Sequence, residues 1–246
     1  MRTLRFSLPD EGVVEKGFLK VKDEFEYRDT RIRLESDFEG QLDVALEAVI
    51  ECWRVLEKYF RKNPLFQSSY APVEVESGEH VIIERMNGAS RLVGTGPMAS
   101  VAGAIAEYVG EKILGSGAGE VVVENGGDIY LNLKSARRVG VYAGDSKFSN
   151  KLFFEINPKE TPLGVCTSAA SVGHSVSLGR ADALVCVSKS AALADASATY
   201  LANLAGEVDS KDLPNFAREI RGLDGFLGIV EDELTAWGRL PELSGI

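Results

Sequence analysis

Alternating apolar and polar positions mark the first 36 residues as β-structure, in the stretches Thr3 to Leu8, Gly17 to Val21 and Phe25 to Leu34. Asp10-Glu11-Gly12 reads as a turn between the first two, so the chain is expected to open antiparallel. From Phe38 to Lys62 the period becomes helical, with Leu42, Ala45, Leu46, Val49, Trp53, Leu56 and Phe60 on one face, and Asn63-Pro64 ends it. A shorter helical pattern covers Glu79 to Leu92. Gly94-Thr95-Gly96-Pro97 then opens a helix of another kind, predicted over 97–114 and built from small residues, with Pro97 suited to its first turn. Strands are predicted at Glu120 to Glu124, Ile129 to Leu133, Arg138 to Tyr142, Lys151 to Ile156 and Ala183 to Val187. A second small-residue helix follows over Ala191 to Leu204, then a helix near Leu213 to Ile220, an apolar run Phe226 to Val230 and a polar end.

Strands thus come in groups between long helices, without regular β-α-β alternation. That order predicts an α+β fold, helices layered on a mostly antiparallel sheet. The two small-residue helices, each beside a strand cluster, suggest an internal duplication. No linker divides residues 1–246, which are read as a single domain.

Composition narrows the function classes. With 27 basic and 37 acidic residues the chain carries a formal charge of −10 over 246 residues, which disfavours nucleic-acid binding. No apolar stretch is long enough for a membrane span, and no secretory signal is read at the start. Cys52, Cys166 and Cys186 lack metal or redox spacing and read as buried reduced thiols, so a cytoplasmic protein is expected.

Three segments carry candidate chemistry. Asn125-Gly126-Gly127-Asp128 between two strands reads as a tight hairpin, or as a loop whose glycines admit a ligand while Asn125 and Asp128 fix its polar edges. Asp195 and Thr199, one turn apart on a helix, read as two oxygen ligands of Mg²⁺, or as a helix-capping or solvated carboxylate and a hydroxyl bonded back to its own helix. On the metal reading, removal of Asp195 is expected to leave metal-free stability unchanged or higher. Gly164 to Ser171 is expected after a strand and offers Thr167 and Ser168 as hydroxyl donors. His174, in Gly173-His174-Ser175, is a candidate proton acceptor, and a plain loop histidine reads equally from its spacing. Gly94-x-Gly96 opening a helix resembles a phosphate cradle without matching the dinucleotide or P-loop motifs.

Taken together, Gly96-Pro97-Met98-Ala99-Ser100-Val101-Ala102-Gly103-Ala104, Glu124-Asn125-Gly126-Gly127-Asp128-Ile129 and Ala194-Asp195-Ala196-Ser197-Ala198-Thr199 resemble the ApbE-like superfamily. Its best-known members are Mg²⁺-dependent FAD:protein FMN transferases, with N-x-G-G-D-I on a strand edge and A-D-A-x-x-T on a helix, in this order. The resemblance covers about residues 94 to 205 and points to a branch related to those transferases. It implies tunnelling-fold-like layers and a cleft for FAD or FMN. Asp195 and Thr199 would hold Mg²⁺ at the pyrophosphate, while Gly96, Pro97 and Asn125 to Asp128 would line the nucleotide pocket. The implied reaction moves FMN from FAD to a threonine of an acceptor protein and releases AMP. The transferases' H-x-x-D-P-x-T-G stretch is replaced here by His174-Ser175-Val176-Ser177-Leu178-Gly179, without its Asp and Pro, which puts the transfer step in question. The rival readings are a non-catalytic flavin-binding or carrier protein, and a pocket repurposed for another small anionic ligand.

Overall fold

The structure, a computed structural model, describes residues 5–7, 21–168 and 181–245, the first three by their strand alone. β1 (Arg5–Ser7) lies within the predicted Thr3 to Leu8 stretch; the predicted turn at Asp10-Glu11-Gly12 falls outside the described residues. β2 (Val21–Tyr27) and β3 (Thr30–Ser36) form a hairpin in which Tyr27 faces Thr30. The strand predicted over Phe25 to Leu34 is therefore two, broken at Arg28-Asp29, where Arg28 takes φ 55°. Two charged turn residues had the look of exposed strand positions, which hid the break.

α1 (Gln41–Lys62) follows, close to the predicted span, but its buried stripe runs through Ala45, Ala48, Val49, Cys52, Leu56 and Phe60. Leu42 and Leu46, expected on that face, are exposed at its edge. The small side chains of Ala45, Ala48 and Cys52 bring the helix against its neighbours and turn the two leucines outward. α2 (Pro64–Ser68) and α3 (Val81–Val93) come next, α3 ending at Gly94 with φ 85°, a left-handed cap that glycine adopts without strain. Pro97–Ser100 forms a short 3-10 turn that leads into α4 (Val101–Gly115).

The remaining elements are β4 (Val121–Asn125), β5 (Asp128–Asn132), β6 (Arg137–Val141), β7 (Leu152–Ile156), β8 (Leu163–Ser168), β9 (Ala181–Ser188), α5 (Ala191–Leu204), α6 (Leu213–Glu219), β10 (Leu223–Val230), β11 (Glu233–Gly238) and β12 (Glu242–Gly245). Gly164 to Ser168, expected after a strand, is itself part of β8. The polar end, left without structure by the sequence reading, holds β11 and β12, whose alternating exposed residues carry little apolar signal.

Every strand pairing among the described residues is antiparallel, and an α+β architecture results. The large sheet runs β2-β3-β4-β5-β8-β9-β10-β11, in chain order, and a small sheet runs β1-β6-β7-β12. Each half of the large sheet has the pattern strand, strand, helices, strand, strand. Period-two alternation gives the large sheet two apolar faces. Val121, Val123, Cys166, Cys186 and Phe226 face a layer of helices, whereas Val122, Ile129, Val165, Val185 and Leu227 face Val139, Phe154 and Ile156 of the small sheet.

α5 lies at the centre of the helical layer, and Ala191 to Thr199 are all buried. Its first residue is wedged between a strand and a helix. A Cβ on Gly164 of β8 would lie 2.4 Å from Ala191 Cα, and one on Gly103 of α4 would lie 2.3 Å from Ala191 O. The small residues of both helices are therefore used for close packing of backbone on backbone.

Gly164→Ala is expected to destabilise the fold by about 1–3 kcal/mol, because neither neighbour is a side chain that can swing away. Gly88→Ala, in the exposed interior of α3 where an added Cβ meets open space, is expected to stabilise by about 0.5–1 kcal/mol. Equilibrium unfolding of both variants checks the contrast; a stable Gly164→Ala protein would refute the wedge.

Candidate functional site

Asn125 and Asp128 are register partners, and the two residues between them take φ 63° at Gly126 and 110° at Gly127. The segment is thus a two-residue hairpin, the glycines supplying the positive φ that such a turn requires. A solvent-exposed turn has no need of buried polar flanks, yet Asn125 and Asp128 are both buried. Asn125 Nδ2 donates to Ala102 O at 3.1 Å, and Asp128 Oδ1 accepts from the Thr167 amide at 3.3 Å. The hairpin tip is thereby fastened to the start of α4 on one side and to β8 on the other.

Asp195 Oδ2 accepts from the Gly103 amide at 2.9 Å. Ala102 O and Gly103 N belong to one peptide group. That single group is held at its carbonyl by the hairpin and at its N–H by α5. Ser100, at the N-cap of α4, makes no side-chain cap, so Asp195 caps the helix from a distance of 92 residues along the chain. The positive end of α4 favours a carboxylate there. This contact reverses the expectation for metal-free stability: removing Asp195 takes a buried charged acceptor from a helix terminus, which costs about 1–3 kcal/mol.

Glu107 makes the converse contact. Its Oε2 accepts from Ser190 Oγ at 3.0 Å and from the Ala192 amide at 3.2 Å, at the start of α5. Arg85 Nε stands 3.3 Å from the other oxygen. Burial raises the pKa of Glu107, opposed by Arg85 and by these two donors. Sequence reasoning passed over Glu107, although it is the one charged residue in the small-residue stretch 101–110.

The other predicted residues are distributed as follows. Thr167 and Ser168 are neighbours on β8 and alternate in face, and neither hydroxyl finds a hydrogen-bond partner among the described residues. Ser168 shares the helix-facing side with Cys166, and Thr167 takes the other. Thr199 is buried one turn beyond Asp195. Gly96 lies against the Ser69-Tyr70 backbone, where a Cβ would come within 1.9 Å of Ser69 O, and Pro97 is buried at the start of the 3-10 turn. His174 lies outside the described residues. Cys166 donates to Ala191 O at 3.3 Å, and burial, with Asp128 and Asp195 nearby, raises its thiol far above the usual range. It packs as a small apolar residue.

Among the described residues no three His, Cys, Asp or Glu side chains gather as a metal cluster. The oxygens of Asp195 and Thr199, one turn apart on α5, are nevertheless of the hard type that suits Mg²⁺, an ion that keeps much of its shell as water and substrate phosphate. The residues present fit such an ion on the chemistry of their donors.

Glu124 also escaped the sequence reading. It precedes Asn125 and therefore points to the opposite face of the sheet. It is buried, lies across from Arg33 with Nη1 at 3.6 Å, and is pushed up to about 7, chiefly by burial.

Comparison with known proteins adds the following. The family described as AbpE bacteria matches residues 17–219. A UPF0280 protein of Methanocaldococcus jannaschii is 40% identical over 222 residues, covering 88% of this chain and 90% of that one. A UPF0280 protein of Archaeoglobus fulgidus is also 40% identical, over 226 residues, covering 89% and 93%. Among solved structures, the ApbE protein of Thermotoga maritima superposes with a TM-score of 0.60 at 14% identity, covering 88% and 96%. The flavin transferase ApbE of Vibrio cholerae gives 0.56 at 14%, covering 89% and 96%. The two structures establish a shared fold.

The raised pKa of Glu124 has a pH consequence. Above the unfolded value of 4.5, the native state holds this proton more tightly than the unfolded chain does. Stability from Glu124 is therefore present at low pH and is lost as pH rises through about 7, with a total on the order of 3 kcal/mol. Glu124→Gln is expected to flatten that slope and to be more stable than wild type at pH 8. Unfolding free energies at pH 5 and pH 8 decide it; an unchanged slope would contradict the assignment.

Proposed function

The chain belongs to the AbpE bacteria family, within the flavin-transferase-like ApbE superfamily, and from that premise we propose that it binds FAD or FMN together with Mg²⁺ and moves FMN from FAD to a threonine of an acceptor protein. The observation that carries this reading is the meeting of all three motif segments at the Ala102–Gly103 peptide group. Segments up to 92 residues apart along the chain thereby converge on one peptide, which supports a common site.

In this reading Asp195 and Thr199 hold Mg²⁺ at the pyrophosphate, Asp195 giving the charge and Thr199 a neutral oxygen. A bound ion would supply charge neutralisation at the phosphate oxygens. Asn125 to Asp128, with Gly96 and Pro97, line the nucleotide pocket, and the Ser168 hydroxyl donates to the ligand's oxygens, while Thr167 contributes through its amide, which holds Asp128. His174 takes the proton of the acceptor hydroxyl as its oxygen bonds to the FMN phosphorus and the bond to AMP breaks. The large sheet is read as tunnelling-fold-like, and its two strand-strand-helix-strand-strand halves as an internal duplication within one unit, 1–246; the chain-order succession of strands supports both. A cytoplasmic location is supported by three free cysteines and by the lack of any sufficiently long apolar helix among the described residues. No nucleic-acid partner is proposed, in keeping with the net charge of −10.

A second reading, flavin binding without transfer, is favoured by one feature. His174-Ser175-Val176-Ser177-Leu178-Gly179 lacks the Asp and Pro of the transferases' stretch. Incubation with FAD, Mg²⁺ and a threonine-bearing acceptor peptide separates the two. AMP release supports transfer, flavin binding without AMP supports the carrier, and neither points to a different anionic ligand.

Asp195→Asn separates the two roles of that residue. Its carbonyl oxygen keeps the Gly103 cap, so stability is expected to stay within about 1 kcal/mol of wild type. Loss of the charge is expected to weaken Mg²⁺-dependent FAD binding by about 1 to a few kcal/mol, and Thr199→Val to do so less. Calorimetric titration with and without Mg²⁺ checks this, and unchanged Mg²⁺ dependence in both variants would overturn the metal pair.

A further inference from the structure

We propose that Glu107 is a positioning residue for Asp195: its hold on Ser190 and Ala192 fixes the register of α5 on α4, and with it the place of the Asp195 carboxylate. The functional consequence rests on the reading of Asp195 as a metal ligand, whereas the positioning rests on geometry alone.

The two polar contacts are spaced one turn apart on both helices. Gly103 and Glu107 are four apart on α4, and Ala192 and Asp195 three apart on α5, so each pair shares a helix face. The helices run in opposite senses across the contact, each giving a carboxylate to the first turn of the other. One such contact leaves the partner free to pivot about it; a second, a turn away, removes the pivot and the slide together.

Packing alone does not set this register. Helices usually lock by seating ridges of side chains in grooves. The α5 surface offers Ala191, Ala192, Ala194, Ala196 and Ala198, which form shallow ridges. Approach is limited by Gly103, already in backbone contact with Ala191. What specifies translation along the axis is the pair of carboxylates, a registry role well suited to buried charged groups. Glu107 is itself held, since Arg85 reaches one of its oxygens and pairs with Glu111 through two 2.9 Å contacts.

The test compares Glu107→Ala, Glu107→Asp and Glu107→Gln in the full chain. Aspartate keeps the charge and loses the reach; glutamine keeps the reach and an acceptor oxygen. Hydrogen exchange of the Gly103 amide, in protein free of metal and flavin, reads the Asp195 contact directly. Exchange at Gly103 is expected to quicken about tenfold or more in the Ala and Asp variants, with Leu34 and Val123 in the β3–β4 ladder unaffected, and to stay slow in the Gln variant. In FAD titrations the half-saturating Mg²⁺ concentration is expected to rise about tenfold or more in the same two variants and to recover with Gln. If Glu107→Ala does not fold, Glu107→Asp carries the comparison. Unchanged Gly103 exchange in the Asp variant, or quickening spread equally through the β3–β4 ladder, overturns the proposal. Wild-type protein that binds no FAD overturns the functional reading instead, and the Gly103 amide still decides the positioning.

Discussion

Two helices that are nearly free of charge exchange one carboxylate each, and the position of the central helix follows from that exchange. Between 101 and 110 the only charged residue is Glu107, and between 191 and 204 it is Asp195. Burying an ionised carboxylate costs several kcal/mol unless hydrogen bonds replace its water. Each of these carboxylates finds its donors at the other helix's first turn, where amides lack intrahelical partners and the helix dipole favours negative charge. The arrangement demands backbone contact, which Gly103 permits on one side of Ala191 and Gly164 on the other. The alanines and glycines that dominate both helices are thus the steric condition for the polar exchange.

The candidate site is a by-product of the same geometry. Once Asp195 fixes the N–H of the Ala102–Gly103 peptide, its carbonyl is turned toward the hairpin, where Asn125 meets it. Asp128, on the hairpin's other limb, then reaches the Thr167 amide on β8. Strand end, hairpin tip and two helices are joined through backbone groups, a rigid support for the side chains of the candidate site. The carboxylate read as a metal ligand has a structural task as well. Its charge and its shape can be separated because a carboxamide meets one requirement and fails the other.

Much of this was legible in the sequence, and the failures have identifiable causes. Helix spans were visible because their period is long and their ends carry proline or glycine, as at Asn63-Pro64 and Gly94. The Asn125-Gly126-Gly127-Asp128 hairpin and the helical spacing of Asp195 and Thr199 were visible for the same local reasons. The break at Arg28-Asp29 was hidden because charged turn residues mimic an exposed strand face. β11 and β12 were hidden because half-exposed strands lack apolar alternation. The Gly103–Asp195 contact could not be read from either segment alone: both readings of Asp195, cap or ligand, assumed its own helix, while the helix it caps lies 92 residues away. Glu107 and Glu124 were missed because a charge inside an apolar element is ordinarily assigned to a solvated edge. A lone charge among alanines is the signal that pointed inward.

The central claim is that Asn125 and Asp195 act on one peptide group, and a double-mutant cycle tests it most directly. Unfolding free energies would be measured for wild type, Asn125→Ala, Asp195→Ala and the double variant. Each side chain bonds to the Ala102–Gly103 peptide, which is the expected route of coupling between them. The structure predicts a coupling energy of about 0.5–3 kcal/mol, the double variant losing less than the sum of the single losses. Additive losses would contradict it.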